Sequence, residues 1–304
     1  MDWSRAKTIL IIAFLCLDLF LAARLWLEPG ALGAKQPEVT TLEVEQAVAE
    51  LAGRGISVQA AIPRRCPAMS LLDVAPAPLD KSGEASAFLH PYAAAGPVRS
   101  ETIPGGTAYS RGAATLTIRD TGTLEFALPA EIPPAGATQD VWDILRAREA
   151  AGAFIDEHGG LPSGARLDVA LYDAARDVFS IEFVETHADL PVFSARLKVD
   201  VAHWGVVRFY RSWVDVRGSG SQPRRVVAAT EALRRWADAR RRPATGEMTG
   251  DRSPADIVDD VSLGYFGQEH DAESWQVVPV WRVRTADGRS YYINAWTGEP
   301  ERVK

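Results

Sequence analysis

A chain of 304 residues with 47% hydrophobic side chains and 9 tryptophans has ample material for a core, and its length suits two or three folding units. A formal net charge of −7 argues against a nucleic-acid role, where a basic patch should dominate the surface. Of the 2 cysteines only Cys66 lies beyond the apolar N-terminus, which excludes an intrachain disulfide scaffold and leaves a buried, inert thiol or a link between chains.

In chain order, Arg5 and Lys7 precede an apolar stretch from Thr8 to Trp26 that is broken only by Asp18 and Arg24. About 20 helical residues cross a hydrocarbon core, so this stretch is long enough to span. Its positive flank belongs in the cytoplasm, which puts the rest of the chain outside. A cleaved signal peptide shares this layout, but the small-residue exits Ala22-Ala23 and Ala31-Leu32-Gly33 are respectively followed by Arg24 and distant, which favours an uncleaved anchor.

Asp18 is the residue of interest in that segment. A carboxylate near a bilayer centre costs about 2.5–3.5 kcal/mol, so it normally faces another helix. Helical spacing places it on one face with Ile11, Phe14, Leu15, Leu21, Ala22 and Leu25, a candidate partner-helix face. The alternative is a protonated Asp tolerated in a single span. Arg24 lies near the outer boundary, where it can snorkel.

After a Pro/Gly linker, Glu28 to Pro37, three sections each begin with an amphipathic helix and continue with strands. The first helix aligns Val44, Ala47, Val48 and Leu51, and Gly53 and Gly55 end it before Ile56-Ser57-Val58. Residues 73 to 106, rich in Pro, Ala and Gly, read as loop, followed by strands Ala114–Ile118 and Leu124–Leu128. The second section opens with a helix from Thr138 to Glu157, then alternating runs through Leu167–Leu171, Phe179–Phe183 and Val207–Trp213. The third has a helix from Pro223 to Arg241 and strands near Ile257–Tyr265, Trp275–Thr285 and Arg289–Trp296, the last two joined by an Asp287-Gly288 turn.

Pro191-Val192-Phe193 leading to His203-Trp204-Gly205 matches Pro279-Val280-Trp281 leading to Trp296-Thr297-Gly298, either as an internal repeat or by accident. The expected fold class is therefore α+β. A single N-terminal transmembrane helix precedes an extracellular domain of helix-on-antiparallel-sheet units, comparable, if the repeat holds, to small PepSY-type domains. The expected boundaries are 1–7 cytoplasmic stub, 8–27 anchor, 28–37 linker, 38–130 first section, 131–218 second unit and 219–304 third unit.

The opening Met1-Asp2-Trp3-Ser4-Arg5-Ala6-Lys7-Thr8-Ile9, running into an Ile/Leu/Phe helix, resembles the start of the YycI family. The run Tyr291-Tyr292-Ile293-Asn294-Ala295-Trp296-Thr297-Gly298-Glu299 resembles the end of that family's extracellular domain. These are membrane-anchored accessory proteins of the WalK–WalR cell-wall two-component system of Gram-positive bacteria, found with the related YycH proteins. The resemblance implies a cell-membrane, single-pass protein with a WalK-like sensor histidine kinase and a YycH-like sister protein as partners. The middle of the chain, rich in Ala, Arg and Pro, departs from the family.

Catalysis finds little footing, and no cofactor or metal is implied. His90, His158, His187, His203 and His270 lack the one-face spacing of a zinc helix. His203 beside Trp204 reads as packing or surface, and Glu269-His270-Asp271 as an exposed turn. Ser4-Arg5-Ala6-Lys7 matches a penicillin-binding motif only by coincidence, since it precedes the anchor. Gly218-Ser219-Gly220-Ser221 reads as a flexible connector. Arg234, Arg235, Arg240, Arg241 and Arg242 cluster at a helix end, where cations favour the dipole or contact an anionic partner. Asp259-Asp260 and Glu247 are too isolated to form a carboxylate pair. Two functions remain: a non-enzymatic regulator of a sensor kinase, or a tethered extracellular module that binds or inhibits a peptide, a peptidase or a cell-wall ligand.

Overall fold

The computed structural model describes residues 38–129, 143–240, 256–268 and 272–302, together with Phe14 and Leu15. Helix α1 (Thr41–Ala52) starts at a capping box, in which Thr40 and Glu43 exchange hydrogen bonds and satisfy two otherwise orphaned donors. Strands β1 (Ser57–Val58), β2 (Ala68–Met69) and β3 (Leu72–Pro76) follow. Helix α2 (Lys81–Leu89), capped by Asp80, continues into a 3-10 helix, His90–Ala95. A meander comes next: β4 (Arg99–Ile103), β5 (Gly106–Arg111), β6 (Ala114–Arg119) and β7 (Leu124–Ala127).

Helix α3 (Ile144–Glu157), capped by Asp143, precedes β8 (Ala165–Asp173), β9 (Val178–His187), β10 (Leu190–Ala202), β11 (Gly205–Ser212), β12 (Val214–Ser219) and β13 (Arg224–Arg225). The described chain ends with α4 (Ala229–Arg240), β14 (Ile257–Phe266), β15 (Trp275–Thr285) and β16 (Ser290–Asn294).

The expected α+β class of separate helix-on-antiparallel-sheet units is overturned. Strand outweighs helix, 45% to 24%. The main strands form one 14-stranded mixed sheet along the order β12-β3-β15-β14-β10-β11-β7-β6-β5-β4, with β1, β16, β8 and β9 joined at its sides. The physical cause is β10. Its C-terminal half lies antiparallel between β9 and β11, while its N-terminal half meets β14 in parallel, Val192 opposite Tyr265. Two meanders thereby share one strand. Strand β1 of the first section also pairs in parallel with β14. Alternating hydrophobicity told the shared face where no bulge intervenes and carried no information about the partner strand; the expected common face of Leu167, Val169 and Leu171 is broken by a register shift between Leu167 and Val169.

The predicted anchor, 8–27, lies outside the described residues apart from Phe14 and Leu15, and no helix among the described residues is long and apolar enough to cross a membrane. Residues 73–106 are not one loop, because they hold most of β3, all of α2, the 3-10 helix and β4. Asp80 nucleates α2 by accepting from the Ser82 N–H, a cap signal hidden by the surrounding prolines and alanines. The third helix begins at Ala229 rather than Pro223, since Arg224 and Arg225 pair with β2 instead. Gly218 and Ser219 belong to β12, opposite Asp73 and Leu72, and are no free connector.

One face of the sheet carries Leu116, Ile118, Leu124, Phe126, Ile181, Leu197, Val199 and Phe209, all almost fully buried. Phe88 of α2 plugs this face, its ring 5.4 Å from Phe126, 5.3 Å from Phe209 and 5.8 Å from Phe154 of α3. Burying each such ring stabilises by about 1.5–3 kcal/mol. At the other end Trp281 of β15 is fully buried and donates through Nε1 to the Val227 carbonyl, 2.9 Å, which fixes the approach to α4.

Candidate functional site

The site is built from a β-bulge. Along β8 the register passes from Leu167 opposite Phe183 directly to Val169 opposite Glu182, so Asp168 is the extra residue. Its carboxylate turns to Arg282 of β15, which donates from Nη2 to Asp168 Oδ1 at 2.8 Å and from Nη1 to Oδ2. The same guanidinium donates from Nη2 to Asp260 of β14 at 2.9 Å and from Nε to the Ser262 hydroxyl at 3.2 Å, and it lies 4.4 Å over the Phe193 ring.

Arg282 is only 5% exposed. Burial works against its charge, but the Asp168 hydrogen bonds and the charges of Asp168 and Asp260 more than offset this and raise its pKa. Beside it, burial pushes the Tyr292 phenol up to about 12. Neither group changes protonation near neutrality. The seam fastens the β8–β9 hairpin across β14, β15 and β16.

The bulge also resets which side chains share a face. Leu167, Ala170 and Tyr172 point one way with Phe183, Ile181 and Phe179 of β9, while Val169 and Leu171 point towards the seam side. Leu167 is 39% exposed and Tyr172 is 51% exposed. Tyr172 donates to Asp177 at 2.5 Å and its ring lies 5.1 Å from Phe179. Among the described strands β8 pairs with β9 alone, so its outer edge is open.

Other polar groups are tied into the scaffold. Arg111 donates to the carbonyls of Gly96 at 2.6 Å and Leu89 at 3.2 Å, bracing the 3-10 helix beside a cleft of about 330 Å³ lined by Ser82, Ser86, His90, Tyr109 and Arg111. Arg211 of β11 pairs with Glu84 of α2. Asp200, 2% exposed, accepts from Ser180 and Arg176, each at 2.7 Å. Glu185 of β9 differs: burial first, then the charge of Asp215, pushes its pKa to about 7, and its Oε2 is buried without a hydrogen-bond partner.

Of the predicted partner-helix face, Ile11, Asp18, Leu21, Ala22 and Leu25 lie outside the described residues, while Phe14 and Leu15 are helical and exposed. The arginine cluster is internally engaged where described. Arg234 pairs with Glu50, Arg235 with Glu231 and Arg240 with Asp256. Arg241, Arg242, Glu247, Glu269, His270 and Asp271 lie outside the described residues. Asp259 and Asp260, read as isolated, each hold an arginine, Arg284 and Arg282. Cys66 is buried, and burial raises its thiol pKa. His203 is exposed, whereas His158 is buried against Phe88 at 4.2 Å and Phe154 at 4.1 Å.

Sequence reasoning missed Asp168 and Arg282. The available signals were an Asp between Leu167 and Val169 in a strand, and an Arg between Trp281 and Val283 in a buried strand.

No family model matches the chain, and no curated protein matches it. Among solved structures it is similar to an uncharacterized protein from Eubacterium rectale ATCC 33656, with 11% sequence identity and a TM-score of 0.48 over 82% of this chain and 90% of that one.

Proposed function

We propose that the chain is a non-enzymatic regulator that works by protein contact at the outer face of a membrane, modulating a WalK-like sensor histidine kinase together with a YycH-like sister protein. The observation that carries the contact reading is the β8 edge. Leu167, Ala170 and Tyr172 form an apolar stripe on an open strand, and the bulge beneath it is pinned by a buried ion-pair seam. Open edges of this kind recruit other chains. The arginines that resemble catalytic cations, Arg282, Arg211 and Arg176, bind one element of the scaffold to another. The kinase and the sister protein come from the resemblance of residues 1–9 and 291–299, and the membrane from the apolar run Thr8 to Trp26.

Regulation requires that the chain bind one state of the kinase better than the other. The test is co-purification of the tagged full-length protein from membranes of its own host, beside Asp18→Leu and Leu167→Lys variants. Recovery of a sensor kinase with the wild type and loss with either variant supports the reading and locates the contact. Recovery of no kinase by any of the three overturns it.

The cleft between α2 and β5, with His90 and Arg111 in its lining, favours a second reading as a tethered binding or inhibitory module. Replacing residues 1–27 with an unrelated anchor separates the two, because the module keeps its activity and the kinase regulator loses it.

A further inference from the structure

The outer edge of β8 is complementary to itself. Counting the bulge at Asp168 as one step with its neighbour, the strand reads Arg166, Leu167, Val169, Ala170, Leu171, Tyr172 and Asp173 in regular alternation. An antiparallel copy turned about a two-fold axis at Ala170 places Leu167 opposite Tyr172 and Arg166 opposite Asp173. Each pair occurs twice, as in any isologous contact.

Leu167 and Tyr172, the two large exposed hydrophobic side chains of the edge, thus meet across the axis on one face, an aliphatic–aromatic pair of the kind that stabilises sheets. On the other face Arg166 meets a carboxylate. Asp173 accepts from the Arg176 side chain at 2.7 Å through Oδ2 and from the backbone N–H groups of Ala175 at 3.0 Å and Arg176 at 3.2 Å through Oδ1, which leaves a lone pair on Oδ2. Ala170 stands opposite its own copy, and a methyl group there lets the two backbones approach.

The free edges at the two ends of the main strand order, β4 and β12, do not have this property. β4, whose residues are mostly exposed, has Glu101 at its centre, so self-pairing would oppose two like charges. The β12 edge is broken by a register shift between Val216 and Gly218.

We propose that two copies of this chain associate through β8, antiparallel and two-fold about Ala170, continuing the sheet from one molecule into the next. This rests on reading β8 as a contact surface and is independent of which kinase, if any, is bound.

The test uses the full-length chain in detergent, purified without partners, with Cys16→Ser and Cys66→Ala as background. Residues directly opposite in an antiparallel pair have Cα atoms about 4.5–5.5 Å apart, within disulfide reach. Ala170→Cys is expected to give mainly disulfide-linked dimer on mild oxidation, while Glu101→Cys on β4 stays without an interchain disulfide. Light scattering is expected to give twice the mass of one chain for the wild type, halved by Leu167→Lys. Equal linkage at positions 170 and 101, a monomeric wild type, or a Leu167→Lys mass equal to wild type each overturns the proposal. A monomer that still recovers the kinase overturns the dimer alone. A dimer linked at position 170 that recovers no kinase supports the pairing and overturns the regulatory reading.

Discussion

Asp168 and Arg282 stand 114 residues apart in the chain and meet at 2.8 Å, so that a bulge in the edge strand β8 is held by a buried cation of β15, beyond β9, β10 and β14 in the same sheet. The pair is part of a triad with Asp260, which donates no proton and shares the same guanidinium. Removing one partner of a buried pair leaves charge uncompensated, whereas replacing the whole set with apolar groups is nearly neutral. Asp168→Ala is therefore expected to destabilise by about 3 kcal/mol, at the lower end because Asp260 remains. Asp168→Leu combined with Arg282→Met and Asp260→Leu, which replaces the whole set, is expected to lose less than Asp168→Ala alone, as measured by urea unfolding. Similar losses for both would mean that the seam acts through packing instead of charge.

Glu185 gives the protein a pH dependence of definite sign. Its folded pKa of about 7 lies above the ordinary 4.5, so the folded state holds a proton that the unfolded state has released. Stability associated with this group is present below pH 4.5 and declines as pH rises towards 7. The side chain is half-buried, and after solvent screening the loss is on the order of 1–2 kcal/mol. Glu185→Gln cannot ionise, so it should raise the melting temperature at pH 8 and leave it unchanged at pH 4.5. An equal shift at both values would assign the effect to packing.

Local features were legible in the sequence where one residue sufficed to specify them. The face of α1 marked by Ala47 and Leu51 is buried, and the Asp287-Gly288 turn forms, with Gly288 at φ 80°. The alternating runs became β8, β9 and β11. Pairing between distant segments was not legible, because period two fixes a face and not a neighbour. Nothing in Val192 announces Tyr265. The site was hidden for a related reason: Asp168 keeps the polar phase between Leu167 and Val169, so nothing in the sequence marks the bulge that puts those two on opposite faces. α2 was lost among small residues, although Asp80 and Ser82 formed a start signal.

Phe88 locks α2 and α3 onto the sheet through rings of Phe126, Phe154, Phe209 and His158. It is 1% exposed, so truncation both loses transfer free energy and leaves a cavity. Phe88→Ala is expected to lower stability by about 3–5 kcal/mol. Phe88→Leu should lose less than half of that. Denaturant midpoints at constant slope would check both, and a midpoint for Phe88→Ala close to wild type would show that the two helices do not depend on this contact.

Gly264 tests whether the two meanders are truly one sheet. It lies in β14 where β10 arrives in parallel, and a Cβ added there would stand 2.4 Å from the Pro191 carbonyl oxygen and 2.6 Å from Cε2 of Phe193. The oxygen belongs to backbone, so relief requires β10 and β14 to separate. Gly264→Ala is expected to destabilise by about 3 kcal/mol, the upper part of the usual range for overpacking. Since β10 also carries β9 and β11, the loss should reach the far meander. Amide exchange in β6 and β7 should quicken along with that in β15 and β16, in one cooperative transition. Faster exchange confined to β14, β15 and β16 would instead mean two units that fold apart and merely touch at Val192.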